Sequence, residues 1–252
     1  MDYLFSSAGK KALTTLLAQP ALFAFDFDGT LAPLAARPQD TQMSADTRQL
    51  LASLCAIVPV AVISGRGCAD LSQKLGVQPT YLIGNHGLEG IPDNDALLEQ
   101  YRLVCNGWHQ QWLTRLAPQA LATGVILEDK IYSLSLHTRC ASDPEASDCW
   151  LHQMLPTLQP TPHIIGGKHV FNLMPTPTAN KHQALVCLLA REKMRHALFI
   201  GDDVTDESVF VNAPSEWLTI RVEPSIDSTA RFFLRHQDEM QRLLEIIIAQ
   251  RQ

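Results

Sequence analysis

No two cysteines in this chain have the C-x-x-C spacing: Cys55, Cys68, Cys105, Cys140, Cys149 and Cys187 are scattered through it. That absence excludes a zinc ribbon and a thioredoxin-type motif. It leaves the cysteines as small, reduced core residues of a cytosolic protein. No apolar run approaches the ~20 residues of a membrane span. The one leader-like segment, Lys10-Lys11 followed by apolar residues from Ala12 to Phe25, lacks a small-residue cleavage site and contains Gln19 and Pro20. Removing it would also sacrifice the first strand, so the expectation is a cytoplasmic protein with no membrane partner. Positive charge is scarce as well. Twenty Lys and Arg face 26 Asp and Glu, a net charge of −6, which argues against a broad basic surface for nucleic acid. Repeats and low-complexity segments are absent.

What is present is globular composition, 46% hydrophobic and 18% charged, over 252 residues. That length suits one large domain, or a domain with an insert. Three apolar runs end abruptly on acid, hydroxyl or glycine. Ala21 to Phe25 runs into Asp26-Phe27-Asp28-Gly29-Thr30, Val58 to Ile63 into Ser64-Gly65-Arg66, and His196 to Ile200 into Gly201-Asp202-Asp203. Short apolar runs followed by turn residues and a helical pattern read as buried parallel strands. In open α/β sheets the carboxyl ends of such strands form the ligand-binding rim.

Between these runs the order is β-α-β-α-β up to Ile83, with a capped helix after Ser44 and a second helix from Cys68 to Leu75 that stops at Gly76. The pattern then changes. Leu97 to Leu116 reads as a helix, Val125 to His137 as strand-like, Glu145 to Leu158 as a helix and Val170 to Leu173 as a short strand. After this, helix 179–193, strand 196–200, helix 205–211, strand 217–222 and a long terminal helix from about Ser228 restore the rhythm. The fold class expected is α/β, a Rossmann-like doubly wound parallel sheet with a smaller α+β insert. Residues 1–101 and 177–252 form the sheet domain, and 102–176 the insert.

Asp26 and Asp28 follow a strand buried on both faces, where a carboxylate without a partner is costly. A helix cap plus a turn Asp is one reading. The other makes Asp26 a nucleophile toward phosphorus and Asp28 the acid, then base, of the reaction. In Gly201 to Glu207, helix capping accounts for Asp206 and Glu207. It does not account for Asp202 and Asp203. Clustered beside Asp26 they would repel one another unless a hard dication bridges them, and all-oxygen ligation suits Mg²⁺. The candidate metal set is Asp26, Asp28, Asp202 and Asp203.

Lys181 opens a helix, where a cation opposes the macrodipole; an acidic site to balance would explain it. Ser64 and the Gly65 backbone are candidates to hold phosphate oxygens at a helix N-terminus. Arg66 either pairs with phosphate or braces an Asp. A phosphomonoester brings nearly two negative charges to an acidic site with only Lys181 and Arg66 in opposition, hence the dication. Glu128 and Lys130 lie two apart on one strand, as sugar contacts or as an exposed ion pair worth little. Gly166-Gly167-Lys168 lacks the rest of a nucleotide P-loop.

Together D-F-D-G-T-L, S-G-R, the helix-opening Lys181 and G-D-D-x-T-D-E resemble the haloacid-dehalogenase (HAD) phosphatase superfamily. Within it, Gly84-Asn85-His86-Gly87-Leu88-Glu89, then Glu128-Asp129-Lys130 with His137, and Gly167-Lys168-His169-Val170 resemble trehalose-6-phosphate phosphatases. The resemblance implies a HAD core with a cap domain closing over a disaccharide phosphate; with the acidic cluster, the expectation is Mg²⁺ as cofactor and a monomeric chain acting on a small-molecule sugar phosphate. It implies Asn85, His86, Glu128 and Lys130 as sugar contacts. Asn172 stands where this family usually carries a sugar-binding Glu, and Met174 replaces a frequent Arg. Asn172 can still hydrogen-bond a hydroxyl. The rival expectations are a phosphatase for another sugar phosphate, such as sucrose phosphate, and a catalytically silent sensor.

Overall fold

The computed structural model describes residues 1–35, 37–167, 169–176 and 180–251. It comprises two compact units, Met1–Ile91 with Ala179–Gln252, and Pro92–Thr178. The smaller unit therefore starts at Pro92, ahead of the expected 102, because residue 102 falls inside a continuous helix. A helix forms cooperatively and is not divided between bodies without a break. The other expected boundary, at 176/177, adjoins residues 177–179, which lie outside the described residues.

The first part of the larger unit runs β1 (Asp2–Tyr3), α1 (Ser7–Leu17), β2 (Ala21–Phe25), α2 (Ala45–Cys55), β3 (Val60–Ile63), α3 (Cys68–Leu75) and β4 (Tyr81–Ile83). The smaller unit contains α4 (Asp95–Gln111), a π-helical turn at Trp112–Leu116, α5 (Ala117–Thr123), β5 (Ile126–Asp129), β6 (Leu134–His137), α6 (Pro144–Met154), β7 (His163–Gly167) and β8 (Val170–Met174). The larger unit resumes with α7 (Lys181–Glu192), β9 (His196–Gly201), α8 (Glu207–Phe210), β10 (Trp217–Val222), β11 (Phe232–Leu234) and α9 (Glu239–Arg251).

In the larger unit the seven strands pair in parallel in the order β1-β11-β10-β9-β2-β3-β4. All five residues of β2 are buried, as a strand covered on both faces requires. Ala21, Phe23 and Phe25 pack with Leu13 and Leu17 of α1, Leu51 and Leu54 of α2, and Leu243 and Leu244 of α9. Leu22 and Ala24 point the other way, to Leu185 and Leu188 of α7 and Val209 of α8. The chain thus leaves β2 for β3 on one side and later returns to lay β9 on the other. That reversal of strand order is where a doubly wound sheet opens a crevice.

The smaller unit is a four-stranded antiparallel sheet, β5-β6-β8-β7. Leu134, Leu136, Phe171 and Leu173 on one face pack against Trp108, Leu116 and Leu151 from its helices.

Several elements differ from expectation. The strand-like stretch 125–137 is a hairpin: Lys130 N–H donates to Ser133 O and Tyr132 N–H to Lys130 O, with Ile131 at φ 72°. The turn contains no Gly, Pro or Asn to announce it, so composition concealed it. The terminal helix starts at Glu239 because Phe232–Leu234 is a strand that pairs between β1 and β10. Strands β1 and β7 and helix α1 carried too little periodic signal to be drawn.

Candidate active site

Three neighbouring strands, β9, β2 and β3, deliver their C-terminal residues to one edge of the larger sheet. Asp26 keeps the ladder register for one more step, its N–H donating to Ile200 O at 2.9 Å, while the chain turns. Its carboxylate is buried and Oδ1 accepts from Lys181 Nζ at 2.8 Å. The same ammonium donates to Asp206 Oδ1 at 2.7 Å. Lys181 reaches them from the first turn of α7, where Asn180 and Gln183 form a reciprocal capping box that fixes the start of the helix. A buried cation at a helix start is unfavourable to the dipole, and two buried carboxylates compensate it.

After Asp26 the loop folds back on itself. Gly29 has φ 80°, and a Cβ there would lie 2.1 Å from Asp202 Oδ2, so only glycine fits. Thr30, one residue on, donates its hydroxyl to Asp202 Oδ1 at 3.1 Å. This brings Asp202 beside Asp26, although the strands that carry them are remote in sequence.

Among the described residues, Asp26, Asp202 and Asp206 each present a carboxylate oxygen within 4.8 Å of the others. Burial pushes the Asp26 carboxyl well above the usual carboxylate range; Lys181 opposes this, and Asp206 and Asp202 add to it. Burial, then the charge of Asp206, pushes Asp202 up to about 7. Burial pulls Lys181 down, but Asp206 and Asp26 outweigh it and hold the ammonium above the usual lysine range. A cluster of hard oxygen donors whose negative charge exceeds its single ammonium fits a hard dication such as Mg²⁺.

Two expectations change here. Asp203, expected in the metal set, is exposed, and it is Asp206 that converges with Asp26 and Asp202. Asp206 accepts from Lys181 through Oδ1 and from the backbone N–H groups of Asp202 and Asp203 through Oδ2, each at 2.9 Å. It is the buttress of the site. Its position four residues after Asp202 was visible, but the capping explanation absorbed it. Asp28 does not belong to that group: Arg66 Nε and NH2 donate to its two oxygens at 2.6 Å each. Arg66 NH1 donates to Asp70 at 2.6 Å. The guanidinium expected among the phosphate ligands therefore braces Asp28, the alternative left open by the sequence.

Ser64 is buried after β3, and its Oγ accepts from Arg66 N–H at 3.2 Å. That leaves the hydroxyl proton as the donor a phosphate oxygen would meet. The imidazole of His86 lies against Gly65, whose Cβ, if present, would come 2.4 Å from the ring Cε1. Asn85 and His86 both have positive φ, a strain that concentrates at functional loops. His86 is thus placed on the candidate phosphate loop. Asn85 is not placed as a sugar contact: it is wholly buried and its amide donates to Glu89 Oε2 at 2.9 Å. Glu89 also accepts from Cys68 N–H at 2.8 Å, so the α3 N-terminus, expected to receive phosphate, already holds a carboxylate.

In the smaller unit Glu128, Ser135, Asn172 and Ile165 form one row across the four strands. Glu128 Oε2 accepts from His137 Nε2 at 2.8 Å in the tautomer that protonates that nitrogen, and lies 3.7 Å from Lys130 Nζ. Asn172 is buried; its carbonyl accepts from Ser135 Oγ at 2.6 Å and its amide donates to Ile165 O at 3.3 Å. Its hydrogen bonding is directed into the sheet, unlike that expected of a sugar contact. Lys168 lies outside the described residues.

A family model described as trehalose-phosphatase matches residues 24–237. The chain is 29% identical over 206 residues to a trehalose-phosphate phosphatase of Mycobacterium tuberculosis, covering 76% of this chain and 51% of that protein. It therefore spans about half the length of the curated relatives it matches. A crystal structure of a trehalose-6-phosphate phosphatase related protein superposes with TM-score 0.73 at 21% identity, over 91% of this chain and 97% of that one. The C-terminal domain of the C. albicans trehalose-6-phosphate phosphatase gives 0.71 at 20% identity, over 95% and 96%. These likenesses show the fold. No helix among the described residues is long and apolar enough to cross a membrane.

Proposed function

This chain belongs to the trehalose-phosphatase family, and from that premise we propose that it hydrolyses trehalose 6-phosphate to trehalose and inorganic phosphate, with Mg²⁺, through an aspartyl-phosphate on Asp26. The observation that carries the reading is Asp26 itself, buried at the crevice of the sheet, with Oδ1 held by Lys181 and the Asp202 carboxylate close enough to share an ion.

With Oδ1 held, Oδ2 of Asp26 is the oxygen we assign to in-line attack on phosphorus. The bond between phosphorus and the sugar oxygen breaks, and the proton that oxygen needs comes from the Asp28 carboxyl. Both Asp28 oxygens accept from Arg66, so one of those bonds must open before Asp28 can donate. In the second half Asp28 takes a proton from water, whose oxygen attacks phosphorus and returns Asp26 as a free carboxylate. Lys181 and the Ser64 hydroxyl hold the non-bridging phosphate oxygens. Asp26 and Asp202 would hold the Mg²⁺, and the ion would supply charge neutralisation and orientation of the phosphoryl group. His86, Glu128 and Lys130 are the residues we assign to the sugar. All six cysteines are free thiols, which suits the reducing cytoplasm we propose as its location.

Phosphate release from a panel of sugar phosphates with Mg²⁺ tests the reading. A marked preference for trehalose 6-phosphate supports it, and no hydrolysis of any monoester ends it. A preference for another sugar phosphate, such as sucrose phosphate, is the second reading; the turning of Asn172 into the sheet, where family resemblance places a sugar-binding Glu, favours it. A silent sensor would have no need of the complete set Asp26, Asp28, Lys181 and Asp202.

A further inference from the structure

Glu89 has no role in the chemistry above, yet it joins the two loops that carry that chemistry. Its Oε2 accepts from the Cys68 backbone N–H at 2.8 Å and from Asn85 Nδ2 at 2.9 Å. Its own backbone exchanges both hydrogen bonds with Gly84, at 2.9 and 3.2 Å. Around it the loop after β3 and the loop after β4 are closely joined: Asn85 N–H donates to Arg66 O at 2.8 Å and His86 N–H to Ser64 O at 2.9 Å. A Cβ at Gly84 would lie 2.7 Å from Arg66 O and 2.8 Å from Glu89 Oε2, so the loops meet there with no room for a side chain.

α3 has no capping side chain of its own, since Gly67 occupies the N-cap. A helix N-terminus attracts an anion, and in a phosphatase the nearest competing anion is the substrate. Glu89 occupies that position from another segment. Burial, then the Glu89 charge, pushes the Cys68 thiol up to about 12, in keeping with a carboxylate held against the start of the helix.

We propose that Glu89 is a positioning residue: it fills the anion position at α3, repels phosphate from it, and holds the 64–66 loop so that Ser64 meets the substrate and Arg66 meets Asp28. This deepens the phosphatase reading and rests on it.

The test is steady-state hydrolysis of p-nitrophenyl phosphate by the full chain carrying Glu89→Ala or Glu89→Gln. Misplacing a catalytic loop by about 1 Å costs on the order of a hundredfold in rate, so the alanine variant is expected to lose about tenfold to a hundredfold in kcat/KM. Formate, a carboxylate small enough to enter the gap, should return part of its kcat while leaving the wild type unchanged. The glutamine variant should lose less than alanine, because an amide oxygen in the place of Oε2 still accepts from both Cys68 N–H and Asn85 Nδ2, while the negative charge at the start of α3 is gone. A folded alanine variant as active as wild type, or one whose loss formate leaves untouched, overturns the assignment. If the alanine variant does not fold, the glutamine variant decides, and kcat and KM equal to wild type overturn it. Should the wild type hydrolyse no monoester, the phosphatase reading is what has failed. Amide exchange then tests the tether: faster exchange of the Asn85 side-chain protons in Glu89→Gln upholds it, and unchanged exchange ends it.

Discussion

Lys181 and Asp26, 155 residues apart in sequence, meet through a 2.8 Å hydrogen bond in the interior of the larger unit. Neither is a conventional core residue. Each is buried because the other is there, with Asp206 completing the balance on the far side of the ammonium. Removing one partner of such a set strands a buried charge, whereas the intact set is close to energetically neutral.

Lys181→Met keeps most of the side-chain volume and deletes the charge. It is expected to cost about 3–5 kcal/mol of stability, because Asp26 and Asp206 are left facing each other in a buried site. Urea unfolding measures this, and an unchanged midpoint would show that the bridge contributes nothing.

Asp26→Asn should behave oppositely in stability and activity. Burial and the neighbouring carboxylates already press Asp26 toward its neutral form, and Lys181 retains Asp206. The metal-free variant should therefore melt no lower than wild type, while turnover falls about 10⁴-fold or more, as when an acting nucleophile is removed. Near-normal phosphate release would end the assignment of Asp26.

Arg66→Lys separates two roles. A lysine cannot reproduce the two parallel bonds to Asp28, so a brace for the acid predicts a fall of about tenfold to a hundredfold in kcat with little change in KM. A phosphate ligand predicts the reverse, KM rising with kcat kept. Initial rates over a substrate series distinguish them.

Chelation with EDTA should silence the enzyme, and added Mg²⁺ should restore it. Independently of turnover, Mg²⁺ should raise the melting temperature with concentration, by about 2.7 kcal/mol of added stability at a hundredfold excess over Kd. Full turnover in excess EDTA, or a melting curve indifferent to Mg²⁺, excludes the ion from the site.

The strand ends were legible because burial and abrupt polarity changes are local patterns. Ala21–Phe25 running into Asp26, and His196–Gly201 into Asp202, required no tertiary information. The hairpin at Lys130–Ser133 was not legible, because a positive-φ Ile131 is imposed by the surrounding hydrogen bonds and not by its own preference. The capping role of Asp206 is present, its Oδ2 accepting from Asp203 N–H, but its second role was missed for a related reason. An acid in a first helical turn already has a sufficient local explanation, and nothing in the sequence says that Lys181 will occupy its other oxygen.

Residue order alone determined that β2, β3 and β9 are buried strands and which residue types stand at their ends. Tertiary structure alone decided which hydrogen bonds those residues make: that Arg66 braces Asp28, that Asn85 and Asn172 turn inward, and that Glu89 occupies the start of α3. Propensity and hydrophobic period act over a few neighbours, so one chain records them directly. A side chain's partner depends on which distant segment the sheet order places within hydrogen-bonding reach, and that is settled only when the whole unit packs.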